Sequence, residues 1–255
     1  MLKPADTRRD GPRRVRVAMI SSLRAPGAEY LLHRDPGRGR AYELVVFVAS
    51  DPGNADLGRF AAAGVPTRVH DIRAFYAARG ARLTDLELRR DYDRELLRVL
   101  EPFRPDLVVL CGYLHILTPA VLDAYPGRVI NIHDSDLATT RPDGRPKYRG
   151  LRSTRDAVLA GEPETRSTVH VVTPEVDGGP ILLRSEAFPV HRLVADARRL
   201  GAIDILKAYA YAQREWMMRT AWGPMLAQVI ARFAEAGQEE GGRGGMEPVP
   251  EAARS

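Results

Sequence analysis

Asn131, His133 and Asp177 are the residues of this chain whose types and spacing best suit chemistry at a carbonyl carbon. An amine attacking a formyl or other acyl carbon builds negative charge on the carbonyl oxygen and positive charge on its own nitrogen. A site must stabilise the first and remove a proton from the second. Asn131 can donate an amide N–H to the oxyanion. A protonated His133 can do the same and later return a proton to the leaving nitrogen. Asp177, on the tight Asp177-Gly178-Gly179 turn, would favour the imidazolium and take the amine's proton, directly or through water, if the fold brings it near His133. An Asn-X-His at a strand end can equally be two satisfied polar caps, and Asp-Gly-Gly is also an ordinary hairpin turn, so spacing alone leaves both readings open.

The elements around these residues favour the chemical reading. Asp106 to Cys111 (DLVVLC) and Arg128 to Ile132 (RVINI) are short, apolar, β-branched runs of the kind found in buried strands. Asn131 and His133 then fall at the end of the second strand, at alternate positions pointing the same way. Open parallel sheets place their chemistry at that end. Val15 to Ser21 and Leu44 to Ser50 read as the first two strands, with a helix over 28–34 between them. Further helices are expected over 54–63, 89–100, 116–124 and 151–160, and strands over 67–71, 167–172 and 180–185. Residues 134–150 read as a loop, and a long helical tract over 194–236 is expected to be interrupted near Gly223-Pro224. This alternation predicts an α/β, Rossmann-like, open and mostly parallel sheet with helices on both faces. Residues 15–236 form one expected domain, and the segments 1–14 and 237–255 are expected to be disordered tails.

Composition narrows the function classes. A chain of 255 residues, 44% apolar and 28% charged, is that of a soluble globular protein. No apolar run approaches the roughly 20 residues of a membrane span, and the N-terminus has no apolar signal core, so no membrane and a cytoplasmic location are expected. The net charge of +5 does not form a stripe: the arginines are dispersed, Lys3, Lys147 and Lys207 are the only lysines, and no interleaved aromatics or helix-turn-helix pattern accompany them. Nucleic acid is therefore not an expected partner. Cys111 lies in an apolar strand pattern and reads as a packed thiol. His133-Asp134-X-Asp136 lacks the further histidines of a zinc site, so no metal is expected.

Several blocks occur together in one order: Tyr92-Asp93-Arg94-Glu95-Leu96, Pro105 to Leu110, Gly112-Tyr113-Leu114-His115-Ile116-Leu117, Gly127 to His133, Lys147-Tyr148-Arg149-Gly150-Leu151, Thr168 to Val172, and Val176 to Leu182. In this the region from Arg89 to Ser185 closely resembles the folate-dependent formyltransferase family. The resemblance implies N10-formyltetrahydrofolate as formyl donor, a small-molecule primary amine as acceptor, and Asn131, His133 and Asp177 in the positions of the family's catalytic trio. It also implies that the pterin lies against His115-Ile116-Leu117 and the loop from Val172 through Glu175 to Asp177, with Ile116, Leu117 and Val129 as apolar cover. His170 has no identifiable partner and reads as structural. The oligomeric state is left at monomer or homodimer.

Three departures concern the acceptor, for which Ser21, Ser22, Arg24, Arg89, Leu114 and Arg219 are the candidate contacts. Family members that act on a phosphoribosyl substrate carry a glycine- and serine-rich loop after the first strand, whereas here the loop reads Ser21-Ser22-Leu23-Arg24-Ala25-Pro26-Gly27. Pro26 offers no N–H to a phosphate. Arg89 stands where the family has a phosphate-contacting arginine. Arg219 stands where the phosphoribosyl enzymes carry an acidic residue on the ribose hydroxyls, so an acceptor is exchanged for a donor. The loop after His133 carries an insertion, Arg141 to Pro146, expected to form a substrate lid with Asp134 or Asp136 near a cationic acceptor. These departures favour a specialised amine acceptor over glycinamide ribonucleotide. Two alternatives stay open: a formyltetrahydrofolate hydrolase, disfavoured because such enzymes carry a small domain ahead of this one, and a non-catalytic folate binder.

Overall fold

The computed structural model describes residues 14–239 of the chain, so the expected tails, except Arg14 and residues 237–239, lie outside the described residues. Seven strands form one sheet in the order β3-β2-β1-β4-β5-β7-β8. β1 (Val15–Ser21), β2 (Tyr42–Ala49), β3 (Thr67–Val69), β4 (Leu107–Cys111) and β5 (Val129–His133) are parallel neighbours. β7 (Thr168–Val171) and β8 (Ile181–Arg184) add two antiparallel pairings at the β5 side. The sheet is thus α/β and mostly parallel, as expected. A two-stranded pair, β6 (Glu164–Thr165) with β9 (Phe188–Pro189), is too short to leave a periodic signal.

Strand alternation divides the core between the two faces. Val17, Met19, Phe47, Val109, Ile130 and Ile132 pack under α1 (Ala28–His33) and the long α8 (Ile203–Glu239). Ala18, Ile20, Val46, Val48, Val108 and Leu110 pack under α4 (Leu86–Leu100) and α5 (Pro119–Ala124). The smaller helices are α2 (Leu57–Ala62), α3 (Ile72–Ala77), α6 (Ser153–Ala160) and α7 (Leu193–Arg199).

Two expectations about helices change. α4 starts ahead of the expected 89, because the Asp85 side chain caps it by accepting from the Leu88 N–H at 3.0 Å. α8 runs unbroken through Gly223 and Pro224 to Glu239, past the expected break and the expected end at 236. A proline inside a helix costs about 3 kcal/mol. Here Met218, Trp222, Met225, Leu226, Val229 and Ile230 are all buried against the sheet on both sides of it, which offsets that cost. Gly223 permits the close approach of α1, since a Cβ there would run into Tyr30.

Strand order reverses between β1 and β4, the place where the loops after two parallel strands diverge and leave a crevice. Here the loops are tied across it: the Ser22 N–H donates to Gly112 O at 3.1 Å and the Leu114 N–H to Ser22 Oγ at 3.0 Å. Gly112 takes a left-handed φ of 71°, and a Cβ would strike the Arg24 carbonyl.

Candidate active site

Asn131 and His133 project from the carboxyl end of β5 on one face, and the antiparallel register sets His170 of β7 directly opposite Asn131. That pairing explains the 3.1 Å contact between Asn131 Nδ2 and His170 Nε2. His170 Nδ1 lies 2.9 Å from Val171 O and must donate to it, so its Nε2 is a bare acceptor and Asn131 must present an N–H to it. The ring is neutral near pH 7: burial, and then the facing His133, lower its pKa to about 4 against the opposing pull of Asp177. Asn131 keeps a second N–H. The sequence missed His170 because its partner depends on a register that only the folded sheet defines.

Asp177 arrives on the turn before β8 with a left-handed φ of 54°. The Gly150 N–H donates to Asp177 Oδ2 at 2.7 Å. The same oxygen lies 3.6 Å from His133 Nε2, and Asp177 Oδ1 lies 3.7 Å from His170 Nε2. Gly179 is sterically required, since a Cβ there would strike the Val171 carbonyl, whereas one on Gly178 would displace only the Glu175 side chain. His133 Nε2 is buried and has no hydrogen-bond partner among the described residues. A buried nitrogen without a partner leaves desolvation uncompensated, which is expected where a ligand completes the bonding.

His133 lines a cavity of about 290 Å³ together with Leu114, His115, Ile116, Leu117, Asn131, Leu151, His170, Val172, Val176 and Asp177, among others. The trio and most of the segment expected to hold a pterin therefore share one cavity. His115 is neutral near pH 7, because burial and the neighbouring Arg89 and Arg73 lower its pKa to about 4. Two of the expected contacts sit elsewhere. Val129 begins β5 and is buried in the core with Val121 and Leu122 of α5, so its side chain is spent on packing. Glu175 is turned to Arg149 at 3.3 Å and Arg145 at 3.5 Å and does not line the cavity.

A second cavity, of about 810 Å³, lies between the loop after β1, α1, α2 and α8 and is lined by Arg24, Arg34, Asp56, Arg59, Glu215 and Arg219 among others. Arg24 donates to Glu215 through both terminal guanidinium nitrogens, Nη1 at 2.9 Å and Nη2. Arg219, whose side chain is 75% exposed, lies 3.6 Å from the same carboxylate. Other expected acceptor contacts are committed internally. Ser22 Oγ accepts from Ser50 Oγ at 2.9 Å and Ser21 Oγ from Asn54 Nδ2 at 3.2 Å, so both buried hydroxyls hold the loop together. Arg89 is buried, donating to Tyr76 Oη at 3.0 Å, Leu83 O at 3.0 Å and Ile116 O at 3.4 Å, which ties it to the 115–117 segment. Leu114 lines the first cavity.

The insertion expected to form a lid has a defined shape. Arg141 to Pro146 folds as a tight hairpin, with the Arg141 N–H donating to Arg145 O at 2.8 Å and a bridge between Thr140 and Pro146. Asp134 and Asp136 do not accompany it toward an acceptor, because Asp136 binds Arg184 Nε at 2.9 Å and Asp134 binds Arg214 and Ser153. Cys111 is a free, buried thiol whose pKa is pushed up to about 12 by burial, as packing in β4 implies. No helix among the described residues is long and apolar enough to cross a membrane.

Among curated proteins, the chain is 44% identical over 98 residues to phosphoribosylglycinamide formyltransferase of Escherichia coli, an alignment covering 38% of this chain and 42% of that one. It is 33% identical over 180 residues to the trifunctional purine biosynthetic protein adenosine-3 of Drosophila melanogaster, covering 70% of this chain and 12% of that one. The chain thus spans less than half the length of either relative. Among solved structures, glycinamide ribonucleotide transformylase 1 from Symbiobacterium toebii matches with a TM-score of 0.63 at 28% identity, covering 88% of this chain and 89% of that one. The family model described as formyl transferase matches residues 15–197, well over half of the sequence, and the chain belongs to that family.

Proposed function

We propose that this protein is an N-formyltransferase that moves a formyl group from N10-formyltetrahydrofolate to the primary amine of a small acceptor. The observation that carries this reading is the unpartnered, buried Nε2 of His133, a residue that lines a largely apolar cavity with Asn131 and Asp177. At about 290 Å³ with an open mouth, the cavity suits a flat ring system with polar groups at one end better than a whole drug-sized ligand. When bound, the folate supplies the formyl carbon.

Asn131 offers its second N–H to the carbonyl oxygen as negative charge develops there. His133, protonated, offers Nε2–H to the same oxygen and afterwards gives a proton to the departing folate nitrogen. Asp177, aimed by the Gly150 N–H, takes the proton lost by the attacking amine, directly or through one water. Neutral His170 fixes the orientation of the Asn131 amide.

Glycinamide ribonucleotide is the acceptor named by the relatives, and one observation on α8 supports it. The carboxylate missing at Arg219 returns one helical turn earlier as Glu215, in the same cavity. A second reading, a specialised amine bearing a carboxylate or other anion, is favoured by the loop after β1. There the N–H groups of Ser22 and Ala25 are spent on Gly112 O and Asp56 Oδ2, and Pro26 has none, which leaves those of Leu23, Arg24 and Gly27 as the loop's backbone donors to a phosphate.

Incubating the protein with N10-formyltetrahydrofolate and glycinamide ribonucleotide, while following tetrahydrofolate by absorbance, tests both. Turnover on the ribonucleotide supports the first acceptor. Turnover only on amino acid or amino sugar amines selects the second, and release without any amine would make the protein a hydrolase instead.

A further inference from the structure

Asp134, next to His133 in the chain, is buried at the far edge of the imidazole from Asp177. Its Oδ1 lies 3.9 Å from His133 Nδ1 and accepts from Ser153 Oγ of α6 at 2.8 Å. Its Oδ2 is held by Arg214 Nε of α8, and its backbone carbonyl accepts from Thr154 Oγ1 at 2.6 Å. Three elements therefore converge on one carboxylate.

The groups facing the ring come from every side of it: Asp134 at Nδ1, Asp177 at Nε2, neutral His170 from β7, and Arg214 behind Asp134. Burial pushes the Asp134 carboxyl upward, but the facing His133, the Arg214 ion pair and the Ser153 hydrogen bond outweigh it and hold the carboxyl below its ordinary value. It is an anion throughout the neutral range.

We infer that Asp134, aimed by Arg214 and Ser153, is a positioning residue for His133, holding the Nδ1 edge of the ring so that Nε2 is the edge presented to the reacting carbonyl. At 3.9 Å the effect is one of charge and not of a hydrogen bond. Arg214 is needed because an unpaired buried carboxylate would itself be strongly unfavourable. A purely structural tie between β5, α6 and α8 would stabilise the fold without touching the ring, and this difference can be measured. The inference rests on the proposed formyl transfer.

Asp134→Asn keeps the shape and an acceptor for Ser153 but removes the charge. Its kcat is expected to fall roughly 10- to 100-fold, the scale of a small misplacement of a reacting group. The KM values for folate and amine should stay within about twofold. The alkaline limb of kcat/KM should move to lower pH, because the anion that favours the protonated ring is gone. Arg214→Lys, which keeps the pairing charge, is expected to retain the wild-type pH profile. In substrate-free protein, the His133 ring NMR signals should shift in Asp134→Asn while those of exposed His191 stay in place. That reading needs no turnover, so an inactive wild type counts against formyl transfer, whereas an active wild type with unmoved ring signals and limb in the variant overturns the role of Asp134. If the variant does not fold, Ser153→Ala leaves both charges in place and should lower kcat severalfold at constant KM; a wild-type kcat there would equally overturn it.

Discussion

At the scale of residues, the proposed chemistry depends on two rings that both face Asp177 but differ in their hydrogen bonds. His170 spends Nδ1–H on Val171 O and its lone pair on Asn131, so it orients an amide; His133 faces Asp177 with a nitrogen that nothing in the described protein satisfies. The sequence pointed to Asn131, His133 and Asp177 because strand alternation and a turn motif are local signals. Ser21, Ser22 and Arg89 have internal partners, such as Asn54, Ser50 and Leu83, that a side chain's type does not reveal. Arg219 is different, being exposed at the rim of the larger cavity with Glu215 as its nearest carboxylate. Arg219→Gln is therefore expected to raise the acceptor KM roughly tenfold, the loss of about one charge-assisted hydrogen bond, while the folate KM stays unchanged. Steady-state kinetics with each substrate varied in turn checks this, and equal effects on both KM values would remove Arg219 from acceptor binding.

At the scale of elements, helices are held by partners that a local pattern does not contain. α8 was expected to break at Gly223-Pro224, and it continues because Trp222 and Leu226 are buried on either side of the proline. α4 carries a less obvious constraint: its buried Asp93 accepts from the Thr118 N–H at the start of α5 at 2.6 Å, while its other oxygen has no partner among the described residues. Burial raises this carboxyl from 3.8 to about 6, against the lowering effect of Thr118 and Arg89. The folded protein thus disfavours the charged form, so the stability contribution of the protonated group is fully present below about 3.8 and is lost as pH rises through about 6. Asp93→Asn, which keeps an acceptor for Thr118, should therefore be more stable than wild type at pH 8 by up to about 3 kcal/mol, with the difference vanishing near pH 4. Denaturant titrations at the two pH values decide it. An offset of the same size at both would mean that ionisation of Asp93 is not the cause.

At the scale of the whole molecule, a mostly parallel sheet sets two cavities on either side of the Gly112 to Leu114 segment, one holding the trio and one ringed by arginines and carboxylates. The parallel strands were legible because buried, β-branched runs alternating with helical periods permit few arrangements. The Asp177 turn marks β7 and β8 as a hairpin, but the antiparallel docking of β7 against β5 was not legible, since it joins segments far apart in the chain and has no local signature. With that placement, residues far apart in the chain meet around the point where a formyl carbon would sit. The proposed transfer requires His133 and Asp177 to act as one unit, which a double-mutant cycle on the transfer rate measures directly. Each of His133→Ala and Asp177→Asn is predicted to lower kcat/KM by about 100- to 10,000-fold with the fold retained, and the double variant to lose little more than the worse single one. Losses that multiply, or single variants that turn over like the wild type, would contradict it.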